Sequence, residues 1–167
     1  MYKGTFAGVS YTGGAARDIW ELGATSSQVI AVHSIFVGNY GTTQFGDANA
    51  QGLWPRLIRA SGSFTSGSGG STITPVTTDG AAATFGGTLE GNNSTIAVVS
   101  TGTFVTLENE VFHLQAGWFY KPTPQEMIIL RPSDTLIVTF PDDGTLNPSG
   151  DAPKITSTIV FEVVGGL

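Results

Sequence analysis

Only His33 and His113 supply imidazole in this chain, so an acyl-transfer site would have to be built around one of them. His33 lies among Val29, Ala31, Ile35 and Val37 at strand spacing, where burial disfavours its charged form and a hydrogen bond satisfies the ring. His113 alternates away from the apolar face of its own segment. Neither sits near a G-x-S-x-G elbow. Glu108 and Glu110 fall on one face at strand spacing and could form the carboxylate pair of a small glycosidase. The same residues also open the strand that carries Phe112. Asp142-Asp143-Gly144 offers hard oxygen ligands for calcium, yet the full loop spacing of a calcium motif is missing and ordinary turn chemistry accounts for it. Gly67-Ser68-Gly69-Gly70-Ser71-Thr72 has the glycines of a phosphate loop without its Lys. The residues therefore predict no enzyme, no cofactor and no metal.

Aromatic side chains are the remaining resource. Trp118 follows Phe112 and Leu114 on an apolar face and is expected in the core, whereas Trp54, at the start of a strand beside a long loop, is the better interface anchor. The chain has 167 residues, a net charge of -6 and no Cys, so disulfides and thiolate-bound metals are excluded. Seven cations in all would neutralise few phosphates, which argues against nucleic acid as a partner. No apolar window reaches the ~18 residues of a membrane span, and the opening Met1-Tyr2-Lys3-Gly4-Thr5-Phe6 lacks the apolar core of a signal peptide. The acceptor patterns Asn92-Asn93-Ser94 and Asn93-Ser94-Thr95 are accordingly read as incidental.

The elements that must position these residues are strands. Phe112, Leu114, Ala116, Trp118 and Tyr120 alternate with polar or small residues. So do Leu136, Val138 and Phe140, and so do Ile155, Ser157, Ile159, Phe161 and Val163. Val29 to Val37 is apolar on both faces and predicts a central strand covered on each side. Tyr2–Val9, Ala16–Leu22, Trp54–Phe64, Thr84–Glu90 and Ile96–Leu107 add further candidates. No helix of ten residues is expected; Thr123-Pro124-Gln125-Glu126 reads as one capped turn. About eight short strands between Gly, Pro, Asn and Asp clusters predict an all-β antiparallel jelly roll or related β-sandwich with long loops. One domain spans residues 1–167, with 1–12 as an N-terminal arm and the Gly/Ser-rich stretch 61–74 as a flexible loop.

Leu57-Ile58-Arg59 running into Ser66-Gly67-Ser68-Gly69-Gly70-Ser71-Thr72-Ile73-Thr74-Pro75, together with Phe112 to Glu126, resembles a family of small proteins encoded among tailed-bacteriophage head genes. Several of these are similar to capsid decoration, or cement, proteins. The order of elements matches over most of residues 50 to 167, and Ala116-Gly117-Trp118 followed by Tyr120 and Pro122-Thr123-Pro124-x-Glu126 is its specific part. The resemblance implies a structural virion protein on the outer capsid surface, bound to the major capsid protein as a homotrimer. On that expectation the shell contacts fall on Tyr2, Lys3 and Phe6, on Trp54, Arg56 and Arg59, and on Thr65, Ser66, Ser68, Ser71 and Thr72. The rival expectations are a carbohydrate-binding module or tail-associated adhesin, a small hydrolase using Glu108 and Glu110, and a minor head or connector component.

Overall fold

The computed structural model describes residues 1–11, 15–40, 52–80, 84–113, 116–141 and 154–166, and among these there is no helix. In chain order the strands are β1 (Tyr2–Ser10), β2 (Arg17–Gly23), β3 (Gln28–Tyr40), β4 (Gly52–Leu53), β5 (Arg56–Ser61), β6 (Phe64–Thr65), β7 (Ser71–Thr72) and β8 (Val76–Thr77). They continue as β9 (Thr88–Asn93), β10 (Val98–Val99), β11 (Thr103–Asn109), β12 (Phe112–His113), β13 (Trp118–Tyr120), β14 (Ile128–Leu130), β15 (Thr135–Phe140) and β16 (Lys154–Gly166). Eight of them, β1, β2, β3, β5, β9, β11, β15 and β16, have six residues or more, the number the sequence predicts.

Two antiparallel sheets make a β-sandwich. The first runs β13-β3-β16-β1-β8, with β14 also on β3, and the second runs β11-β5-β15-β2-β9-β7. Pairing is nested along the chain: β1 with β16, β2 with β15, β3 with β13 and β14, β5 with β11. The inner faces share one core, in which Ile30, Val32, Ile35, Ile159 and Phe161 of the first sheet meet Trp20, Leu22, Leu57, Leu136 and Val138 of the second. Phe6 packs on Trp20 at 4.9 Å between ring centres, fixing the spacing of the layers.

Tyr2 to Ser10 is a paired strand between β16 and β8, not an arm. Tyr2 stacks on Phe161 and touches Phe85, so its ring closes the core rather than reaching outward. The alternation over 112–120 belongs to two strands. A turn in which the Ala116 amide donates to the His113 carbonyl, followed by Gly117 at φ 73°, breaks the run, so Phe112 pairs with Leu53 while Trp118 pairs with Val37. Ala116 is exposed, off the apolar face assigned to it. Leu114 lies outside the described residues. The turn at 123–126 forms as expected, with the Glu126 amide on the Thr123 carbonyl at 3.0 Å.

β3 is central, as its composition predicts, yet among the described residues its outer side is partly open, with Phe36 exposed and Ala31 buried. The register with β16 slips between Val160 and Phe161, leaving His33 as an extra residue. That bulge puts Ile30, Val32, Ile35 and Val37 on the core face at spacings of two, three and two, which is why strict alternation reads the strand as apolar on both faces. His33 turns to the other face. It is not in the core, and its Nε2 lies 3.0 Å from Glu162 Oε1 without hydrogen-bond alignment.

Ser157 is the one polar residue on the inward face of β16, and it is fully buried. The Trp20 indole N–H donates to Ser157 Oγ at 2.7 Å, and that hydroxyl donates to the Phe36 carbonyl at 2.6 Å. A buried indole N–H left without an acceptor costs about 1–3 kcal/mol. Ser157→Ala is therefore expected to lower the free energy of urea unfolding by roughly that amount, with β-sheet circular dichroism unchanged. Stability equal to that of the parent chain would show that the indole has another acceptor.

Candidate functional site

The acidic pair that organises this molecule is Asp18 and Glu21 on β2. Alternation would send residues three apart to opposite faces. The register between β2 and β15 slips between Val138 and Thr139, so Ile19 has no partner across the ladder, and Ile19 and Trp20 both enter the main core. Asp18 and Glu21 then emerge together on the outer face of the second sheet. Both are more than nine-tenths buried there.

What buries them is the Gly/Ser-rich stretch. It is not a flexible loop but a strap, ordered by short pairings: Thr65 with Val98, Ser68 with Thr95 and Ser71 with Gly91. The Ile73 amide closes its far end on the Leu89 carbonyl at 2.8 Å. Glu21 holds its middle, because Oε1 accepts the Gly67 amide at 2.7 Å and Asn93 Nδ2 at 2.9 Å, while Oε2 accepts the Ser66 hydroxyl. Asp18 Oδ2 accepts the Ala97 amide at 2.6 Å from the neighbouring segment. Gly67 has no room for a side chain, since a Cβ there would lie 2.6 Å from the Thr95 carbonyl oxygen. Beneath the strap, Ala60, Ala97 and Ile137 form a second small apolar cluster flanked by Ile58, Phe64 and Phe104.

Burial pushes the Asp18 carboxyl up to about 7, against the lowering effect of the Ala97 amide and the Thr139 hydroxyl and with added repulsion and hydrogen bonding from Glu21. Asn93, the shared residue of both glycosylation patterns, is buried on Glu21, and Asn92 accepts Arg17 at 2.7 Å. The sequence carries one signal for this site: two adjacent large apolar residues between two acids, Asp18-Ile19-Trp20-Glu21.

The second feature is a hollow of about 420 Å³ at the mouth of the sandwich, where edge strand β11 faces β13 and β14. Arg59 and Glu108 enter it from the core side of the second sheet, opposite Leu136 and Leu57 in their rows, and Tyr120, Glu126 and Arg131 line the far wall. A smaller hollow of about 220 Å³, bordered by Glu110, Phe119 and Lys121, adjoins it through Glu108, Tyr120 and Glu126. Glu110 is held by the Trp118 indole N–H at 2.6 Å, and Glu126 by the Thr123 hydroxyl at 2.9 Å. Burial, then Glu108 and Glu126, raise the Tyr120 phenol to about 12. Inward charges on an edge strand also block edge-to-edge pairing.

The contact residues expected from the sequence do not converge. Tyr2 and Phe6 pack on the core, while Lys3 stands exposed on the outer face of the first sheet. Trp54 donates its indole N–H to Asn109 Oδ1, and the Arg56 guanidinium covers its ring at 4.0 Å, so neither presents a bare aromatic face. Arg59 is in the hollow. Thr65, Ser66, Ser68, Ser71 and Thr72 are exposed on the strap. Asp142 and Asp143 lie outside the described residues.

Sequence reasoning missed the outer face of the first sheet. Phe119, Phe36, Thr158 and Thr5 form one row across it, and Val76, Lys3, Val160 and Ser34 another. Phe36 (41%), Phe119 (58%), Ile129 (42%) and Val76 (63%) are exposed there, with the two Phe rings edge to face at 6.4 Å. No family model, curated protein or solved structure matches the chain.

Two measurements check these environments. Gly67→Ala is expected to lower the urea midpoint, whereas Gly165→Ala, whose nearest neighbour is 3.9 Å away, leaves it nearly unchanged. Equal midpoints would place the strap off Glu21. Tyr120, neutral in the fold to a higher pH than in the unfolded chain, contributes stability that is intact below pH 10 and is lost between 10 and about 12. In an absorbance titration Tyr120→Phe should remove one tyrosine step near pH 12. A titration above pH 10 that is unchanged by the substitution assigns the high value elsewhere.

Proposed function

We propose that this protein is a non-catalytic structural component of a bacteriophage particle, binding the outside of the capsid shell through the uncovered outer face of its first sheet. The observation that carries the reading is that face, five strands wide with Phe36, Phe119, Ile129 and Val76 standing out of it. Exposed apolar area of this kind marks interaction sites. The buried carboxylates are consumed in holding the strap, and the resemblance of residues 57–75 and 112–126 to phage head proteins points the same way. The nested strand pairing further supports reading the sandwich as a jelly roll, with the β7–β9 pair added at one edge. Binding only to the assembled lattice would stabilise it by mass action, summed over many copies.

On this reading the contact lies away from Tyr2 and Phe6, which pack on the core, and away from the strap, and Lys3 is the member of the expected set on the proposed face. On purified heads, Phe36→Ser with Phe119→Ser is expected to reduce occupancy by about tenfold or more, the loss of an interface anchor worth ~1.4 kcal/mol. Unchanged occupancy overturns the face, and about a dozen copies or fewer per virion by gel densitometry would favour a connector component instead.

A second reading, a carbohydrate-binding module, is favoured by the hollow around Tyr120, in which Arg59, Arg131, Lys121 and Glu108 make no ion pair among the described residues. Glycan-array signal lost on Arg59→Ala would select it.

A further inference from the structure

We propose that the Asp18–Glu21 pair is a proton-operated clasp: a single proton shared between the two carboxyl groups holds the strap of residues 62–75 and the adjoining segment around Ala97 against the second sheet, and loss of that proton releases them. The inference is independent of what the protein binds. Asp18 is 1% exposed and Glu21 3%, on the same face, in hydrogen-bond contact with each other. Asp18 Oδ1 is buried with no donor reaching it, an orphan that a proton shared with Glu21 satisfies.

Among the described residues no charge neutralises the pair. Arg17, next along β2, points away to the Ser10 carbonyl and Asn92. β15 contributes Thr139, and β9 contributes Asn93 with Glu90, whose Oε2 lies 3.2 Å from the Asn93 amide and adds negative charge at the rim. Arg56 of β5 shares the row beyond Thr139, but its guanidinium rests on Trp54. Ser66, Gly67 and Ala97 bring donors without charge. Two carboxylates this close and this dry do not both ionise.

The sign follows from the high pKa of Asp18 in the closed state. An opened strap lets water reach both groups and returns Asp18 toward 3.8, so the closed form binds more protons than the open one. Closure is complete in acid, weakens as pH rises toward about 7, and changes no further above it. Opening uncovers Ile58, Ala60 and Ile137, an apolar surface on the second sheet.

Hydrogen exchange of the full chain between pH 5 and 9, corrected for intrinsic amide chemistry, reads this directly. Protection of residues 66–70 and 95–97 should fall roughly tenfold per pH unit up to pH ~7 and then level, the slope of one linked proton. The β3 and β16 amides should keep theirs. In Asp18→Asn, which retains the acceptor for the Ala97 amide and supplies a fixed donor toward Glu21, the profile should be flat. A flat profile in the parent chain, the same slope in Asp18→Asn, or equal loss across β3 and β16 would each overturn the clasp. If Asp18→Asn does not fold, the parent profile decides by itself.

Discussion

The seam between β3 and β16 is the constraint on which the rest of the molecule depends. It runs from Lys154 opposite Tyr40 to Gly166 opposite Gln28, joining residues more than a hundred positions apart. Every other strand of the first sheet except β8, which pairs with β1, hangs from one of its two members: β1 from β16, β13 and β14 from β3. Such pairings carry a large loop-closure cost that short hairpins avoid. The seam offsets it with an inward face of Ile155, Ile159 and Phe161 against Ile30, Val32, Ile35 and Val37, all buried, and with Ser157 tying the backbone of β3 to Trp20 across the core.

What the sequence made legible was period two wherever the ladder is regular. β16 shows it along its core face, and Leu136, Val138 and Phe140 show it on β15, where all three are buried. The strand class and the number of long strands follow from that pattern and from the Gly, Pro and Asn punctuation. Where the ladder slips, the pattern misleads, because one extra residue transfers everything beyond it to the other face. The slip at His33 made an imidazole facing Glu162 look like a core residue, and the slip at Ile19 hid the meeting of Asp18 and Glu21. Neither is visible until the partner strand is known, since a bulge is a property of a pair.

The Gly/Ser stretch was misread for a related reason. Composition says that it has little to pack, and so it has; only Phe64 and Ile73 among its apolar residues touch a core cluster. It is ordered instead by short backbone pairings and by hydrogen bonds to the Glu21 carboxylate from a strand some forty-five residues earlier. Glycine there serves proximity: Gly67 lies so close to Glu21 and to the Thr95 carbonyl that no side chain fits. Low complexity in this chain marks a surface that something else must approach closely.

The nested pairing orders events during synthesis as well as in space. β1 and β3 are made early among the described strands, but β16, the strand that joins them in the first sheet, comes only with residues 154–166. The broad outer face bearing Phe36 and Phe119 therefore exists only after almost the whole described chain has been made. A nascent fragment ending before residue 154 lacks the strand that makes this face continuous from β3 to β1, so its exposure is tied by connectivity to the last described strand.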